Sequence, residues 1–139
     1  MRYLIVILTL AFLGCEKRDL GANLTGESTS FDGTWELDRI YNGFAQTDLS
    51  EENLVDSEVL KIDVEKAIFS RKFNEMTPEV SAFEFGQQGN LPAIILKDER
   101  TYHWYWFEEW NGKEHLVLYQ KCPVGAVLAD GSYYYYLKR

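Results

Sequence analysis

Arg71 lies between Phe69 and Phe73 at period-two spacing, so a strand through this segment carries a guanidinium on the same face as two phenyl rings. A guanidinium turned into an apolar interior needs a carboxylate partner or an anionic ligand, because a buried unpaired charge is strongly unfavourable. The alternative is a bulge that turns Arg71 out to solvent. Tyr133 to Tyr136 must place two hydroxyls on each face of a strand. Tyr133 and Tyr135 share a face with Leu137 and are the expected interior pair. They are either core residues with hydroxyls reaching a rim or an aromatic wall for a flat or apolar ligand. Phe83, Phe85, Tyr105 and Phe107 extend that wall, and with Arg71, Tyr133 and Tyr135 they make the candidate small-molecule site.

Catalytic chemistry is harder to find. The sequence has no Gly-x-Ser-x-Gly elbow, no phosphate-cradling Gly-rich loop ending in Lys-Ser or Lys-Thr, and no His-Glu-x-x-His helix. Its two histidines, His103 and His115, fall on opposite faces of one hairpin in the register given below, so they are not expected to share a metal or a proton relay; each is read as a surface or rim residue. Glu108 and Glu109 are strand neighbours pointing to opposite faces, which argues against a carboxylate pair. Cys122, next to Pro123, is read as a structural thiol with no activating constellation. No catalytic residue, metal or cofactor is therefore expected, and the chain reads as a binder.

Nearly everything after residue 30 alternates with period two, so the elements that position these side chains are strands. Trp35 and Leu37 occupy one face of a strand over 34–41, which ends at Asn42-Gly43. Residues 44–57 have no clear pattern beyond one helical turn capped by Thr47 or Ser50. Leu60, Ile62 and Val64 alternate with Lys61 and Asp63. Further strands are expected over 67–73, 80–85, 93–97 and 101–110, with a loop at 86–90. Asn111-Gly112 marks a two-residue hairpin, because this pair accepts the positive φ values of a type I′ turn. Pairing Trp110 with Lys113 sets Phe107 opposite Leu116, Tyr105 opposite Leu118, Trp106 opposite Val117 and Trp104 opposite Tyr119. The Tyr105 and Phe107 face carries charge only near the turn and is assigned to the interior. Trp104, Trp106 and Tyr119 then form an outer aromatic stripe, a candidate docking surface for another protein. A last strand over 132–138 makes eight, and their hairpin connections suggest an up-and-down β-barrel closed by the last strand on the first.

The chain has 14 basic and 22 acidic residues among 139, and its 15% aromatic content is concentrated towards the C-terminus. An acidic surface excludes nucleic acid as a partner and weakens attraction to anionic lipid. Arg2 followed by the apolar run Tyr3 to Leu13 rises about 16 Å as a helix, roughly half a hydrocarbon core, which is a signal segment rather than a span. Phe12-Leu13-Gly14-Cys15 resembles the lipobox of bacterial lipoproteins, with Phe where Leu is usual. The resemblance implies a signal peptide over 1–14, cleavage before Cys15 and acylation of its thiol, with membrane anchoring at about 0.8 kcal/mol per buried methylene. Glu16 after the cysteine implies, by the same resemblance, the outer membrane of the cell envelope. Residues 16–30 are polar and rich in Gly, Ser, Thr and Asn, a flexible tether between the lipidated Cys15 and a domain over 31–139.

Gly33-Thr34-Trp35 at the head of the first strand resembles the Gly-x-Trp signature of lipocalins, and the domain looks like the small lipocalin-like domains of bacterial lipoproteins. The resemblance implies that Gly33 and Trp35 close one end of the barrel and that a basic residue of the last strand, Lys138 or Arg139, packs over the indole. It also implies a small hydrophobic or amphipathic ligand. The rival expectation is a solid barrel that docks an envelope protein through Trp104, Trp106 and Tyr119. Free volume above Trp35 and Phe83 would favour the first, and a filled interior the second.

Overall fold

The computed structural model describes residues 31–50 and 52–139. The expected signal segment, Cys15 and the expected tether lie outside the described residues. Ten strands follow one another: β1 (Gly33–Asn42), β2 (Thr47–Ser50), β3 (Glu58–Asp63), β4 (Ile68–Phe73), β5 (Glu79–Gln88), β6 (Leu91–Leu96), β7 (Thr101–Trp110), β8 (Lys113–Tyr119), β9 (Cys122–Pro123) and β10 (Tyr133–Lys138). Eight of them form a closed antiparallel barrel, in the order β1, β3, β4, β5, β6, β7, β8, β10, with β10 returning to β1. Closure leaves the barrel without the open edges of a flat aromatic sheet. β2 pairs with the far half of β1, and β9 pairs with the start of β7.

The hairpin register is as expected. Trp110 pairs with Lys113, Phe107 with Leu116 and Tyr105 with Leu118, around a turn in which Asn111 and Gly112 have φ of 51° and 70°. Tyr105, Leu116 and Leu118 are buried in the interior with Phe107 packed against them. Two stretches differ from expectation. Residues 47–50 form a strand on β1, and the helical hydrogen bonding that follows is a single turn in which the Ser50 carbonyl accepts from the Asn53 and Leu54 amides. The segment 86–88, expected as loop, continues β5. Here Gly86 sits opposite Ala93, and a Cβ at Gly86 would lie 2.8 Å from Ile95 Cδ1, so glycine lets the strands meet closely.

The last strand faces the opposite way from expectation. Tyr136 pairs with Leu116 and Tyr134 with Leu118, and residues paired directly across antiparallel strands share a face. Tyr134 and Tyr136 therefore point inward, while Tyr133 and Tyr135 lie outside. On the other side of β10 a bulge at Asp38 shifts the register between Leu37 and Arg39, bringing Tyr135 opposite Arg39.

Residues 120–132 fold back over the outer face of β7 and β8. Tyr102 donates to the Ala126 carbonyl and Tyr119 to the Leu128 carbonyl, over a second buried cluster of Ala93, Tyr102, Tyr119 and Cys122. Gly131 approaches the Tyr119 ring so closely that a Cβ there would stand 2.6 Å from it.

Candidate functional site

The barrel has a base, marked by Gly33 and the β7–β8 turn, and a mouth, marked by the β4–β5 turn and the segment after β8. At the base the Trp35 indole donates to the Phe31 carbonyl at 2.8 Å, and Phe31 packs its ring among Phe85, Tyr105 and Phe107 with centroids 4.8 to 5.0 Å away. Lys138 Nζ lies 5.3 Å from the Trp35 ring centroid, a cation over an indole face. Arg139 turns instead to Glu36, and its backbone amide donates to the Thr34 carbonyl. Gly33 has φ of 127°, and a Cβ there would lie 3.2 Å from Lys138 Cε. Gly33, Trp35 and Lys138 thus meet at the base.

Above them the interior is filled. Phe83 and Phe85 meet edge to face at 5.3 Å, Phe85 reaches Tyr105 at 5.9 Å, and Leu60, Ile62, Phe69, Ile94, Leu96, Leu116 and Leu118 complete the packing. Of the seven candidate ligand residues, Phe83, Phe85, Tyr105 and Phe107 come together as core. Arg71 lies nearer the mouth, and Tyr133 and Tyr135 are outside the barrel.

At the mouth Arg71 points inward and meets a carboxylate from β3. Its Nε stands 2.7 Å from Glu58 Oε1 and its Nη2 2.8 Å from Oε2, a two-pronged ion pair. Tyr136 donates its hydroxyl to the same Oε1 at 2.5 Å. Glu58 is 1% exposed and the Arg71 side chain 23%. Burial disfavours the charge on Arg71, but Tyr136 and the bonds to Glu58 outweigh it and hold the guanidinium above its ordinary pKa. Burial likewise raises the Tyr136 phenol well above its ordinary value, and the neighbouring Glu58 raises it further.

His103 contradicts the expectation of a rim residue. It shares the inward face with Tyr105, stacks on Phe69 at 6.2 Å and is 3% exposed. Its Nδ1 lies 2.7 Å from the Tyr119 carbonyl, and its Nε2 is buried without a hydrogen-bond partner. Burial pushes its pKa down to about 4, against the pull of the Tyr119 carbonyl, and Arg71 and Lys121 lower it further. His115 is also buried rather than at a rim. It lies on the outer face, between the Lys113 carbonyl at 2.9 Å and Asp38 at 2.8 Å, under Trp110 and Tyr135. The two histidines do face opposite sides. Among the described residues no group of three His, Cys, Asp or Glu side chains could hold a metal.

Two spaces with part of their lining in common lie at the mouth. A cavity of about 310 Å³ is lined by Arg71, Phe73, Met76, Thr77, Glu79 and Lys121. Beneath it a narrow space of about 10 Å³ shares Arg71, Glu79 and Lys121 and is also lined by Phe69, Ser81, Leu96, Glu99 and His103. Phe73 and Met76 are 39% and 63% exposed, so the upper cavity offers unsatisfied apolar surface. Lys121 is paired with Glu99. Sequence reasoning missed Glu58, although period two from Leu60 and Ile62 extends back to it. It also missed the inward face of His103, which the hairpin register and the inward Tyr105 already imply.

The outer stripe is only partly available. Tyr119 is buried at 6% exposure, with its hydroxyl accepting from the Gly131 amide, so it cannot serve a docking surface. Trp104 and Trp106 stay half-buried, with their indole N–H groups given to the Gln88 carbonyl and to Glu108. Trp106 and Tyr133 meet at 5.7 Å, and Tyr133 meets Tyr41 at 5.9 Å, which carries the aromatic surface on to β1. Compared with known proteins, the chain matches no family model, no curated protein and no solved structure.

Proposed function

We propose that this chain is a lipid-anchored lipoprotein of the cell envelope, tethered through Cys15 on the outer membrane, whose lipocalin-like barrel holds a small amphipathic molecule at its mouth. The observation that carries the reading is the 310 Å³ cavity, where exposed Phe73 and Met76 stand beside polar groups anchored by Arg71. A site of apolar wall with a few convergent polar groups is the usual form of a small-molecule site. The filled interior keeps the ligand at the mouth rather than deep in the barrel. The reading makes the protein a binder with no catalytic step.

Native mass spectrometry of the chain from Glu16 onward, compared with its denatured mass, tests this directly. Extra mass released on unfolding, or gained from a panel of fatty acids and alcohols and lost in Met76→Asp, is the expected result. A bare protein that takes up none of them overturns it. Labelling cells with a palmitate analogue tests the anchor, which requires incorporation that Cys15→Ser abolishes.

A second reading is an interaction module for another envelope protein. The filled interior and the half-buried Trp104, Trp106 and Tyr133 on the outer face favour it.

A further inference from the structure

The lining of the narrow space beneath the mouth cavity includes a histidine whose hydrogen bonding is incomplete. His103 Nδ1 faces the Tyr119 carbonyl, which only accepts, so Nδ1 carries the proton. With the ring neutral, Nε2 is left as a lone-pair acceptor, buried and without a donor. Buried polar atoms of native proteins are nearly always satisfied, so such an acceptor marks a place for a donor. The space that the His103 side chain helps to line, about 10 Å³, is the size of one water-sized group. It shares Arg71, Glu79 and Lys121 with the lining of the larger cavity.

We propose that the mouth selects an amphipathic ligand with a terminal hydroxyl, which enters the narrow space and donates to His103 Nε2 while its aliphatic body lies against Phe73 and Met76. The inference rests on the mouth as the binding site and names the class of molecule it takes. A carboxylate is disfavoured. It brings no proton to an acceptor nitrogen, and the cations that would attract it are already engaged, Arg71 by Glu58 and Lys121 by Glu99. Glu79, the remaining charge of the shared lining, would repel it. A hydroxyl meets none of these obstacles and is the size of the water it displaces.

The test is calorimetric titration of the chain from Glu16 onward, which keeps the whole barrel, with 1-octanol, 1-fluorooctane and octanoate. Nitrogen-15 NMR of the histidine rings is followed in parallel. Fluorine matches the hydroxyl in size but donates nothing. Octanol is expected to bind at least about tenfold more tightly than 1-fluorooctane, the difference one satisfied buried acceptor makes. It is also expected to bind more tightly than octanoate and to move the His103 Nε2 resonance. His103→Phe is expected to bring octanol down to the affinity of 1-fluorooctane. Equal binding of octanol and 1-fluorooctane to the unaltered protein, with Nε2 unmoved, overturns the inference and leaves the mouth as an unselective apolar site. Tightest binding of octanoate overturns it in favour of the cations. Failure of all three to bind overturns the mouth reading as well.

Discussion

The two ends of the barrel use the same aromatic vocabulary to opposite effect. At the base, Phe31, Trp35 and Phe107 pack ring against ring, the one indole N–H is given to a carbonyl, and Lys138 covers the outside. At the mouth, Tyr136 and Phe69 pack against charge and a titratable ring, Glu58 with Arg71 and His103 with its unpartnered nitrogen. The base is closed, and among the described residues no buried side-chain polar atom there lacks a partner. The mouth keeps one that does, and places it below an apolar cavity. A fold commonly carries its function where local satisfaction fails.

If the base is the stabilising end, breaking it should cost most. Trp35→Ala removes a side chain 2% exposed and leaves Phe31 and Phe107 facing a void. The expected loss is roughly 3 to 5 kcal/mol in urea unfolding. A loss below about 1 kcal/mol would mean that the base is not the anchor of the fold.

The next largest effect is pH dependence at the mouth. Folding lowers the His103 pKa from its ordinary value of 6.5 to about 4, so between these values the unfolded chain binds more protons than the folded one. Stability attributable to His103 is complete above pH 6.5, declines as pH falls towards 4 and changes no further below it. The full span is roughly 3 kcal/mol. Carboxylates titrate in the same window, so the measurement is the difference between the unaltered protein and His103→Gln at each pH. A difference flat from pH 7 to 4 contradicts the buried neutral ring.

Glu58→Gln should cost less, roughly 2 kcal/mol. It leaves Arg71 without its counter-charge, but the guanidinium keeps 23% of its side chain in water, and a partly wet pair loses less than a dry one. The triple change Glu58→Leu, Arg71→Met and Tyr136→Phe, which also removes the buried hydroxyl that Glu58 accepts, should recover much of that loss. If it does not, the ion pair contributes more to the fold than its burial implies.

The parts of this molecule that the sequence reveals are those set by local rules. The Asn111-Gly112 turn fixes its own register, and from it follow the inward Tyr105 and Phe107 and the outward Trp104 and Trp106. β3 is visible because Leu60 and Ile62 alternate with polar residues. Tyr133 to Tyr136 show no alternation at all, so their facing depends on β8 and on the bulge at Asp38, neither of which is local to them. Period two from Leu60 and Ile62 extends back to Glu58, but its role as a counter-charge shows only once Arg71 stands opposite Leu60 on the neighbouring strand. His115 is buried by an acceptor on β1, Asp38, far away in the chain. Half of the candidate site is therefore hidden because its polar partners meet only when the barrel closes.

The smallest expected effect compares the two ends through their turns. Ala67 precedes β4 at the base and Arg100 precedes β7 at the mouth, and both hold left-handed backbone with φ of 54° and 56°. Each carbonyl also ties its turn to another segment, Ala67 to the Phe83 amide at 3.0 Å and Arg100 to the Val124 amide at 3.0 Å. A Cβ in this conformation costs about 1 to 2 kcal/mol, of which glycine returns part through its freer unfolded chain. Ala67→Gly should therefore raise stability by about 0.5 to 1 kcal/mol, read as a higher urea midpoint at unchanged slope. Arg100→Gly should gain as much if the segment after β8 grips its turn as firmly as β5 grips the other. A gain at Ala67 with none at Arg100 would show that the mouth already relaxes where the base cannot, which is the property a binding end needs.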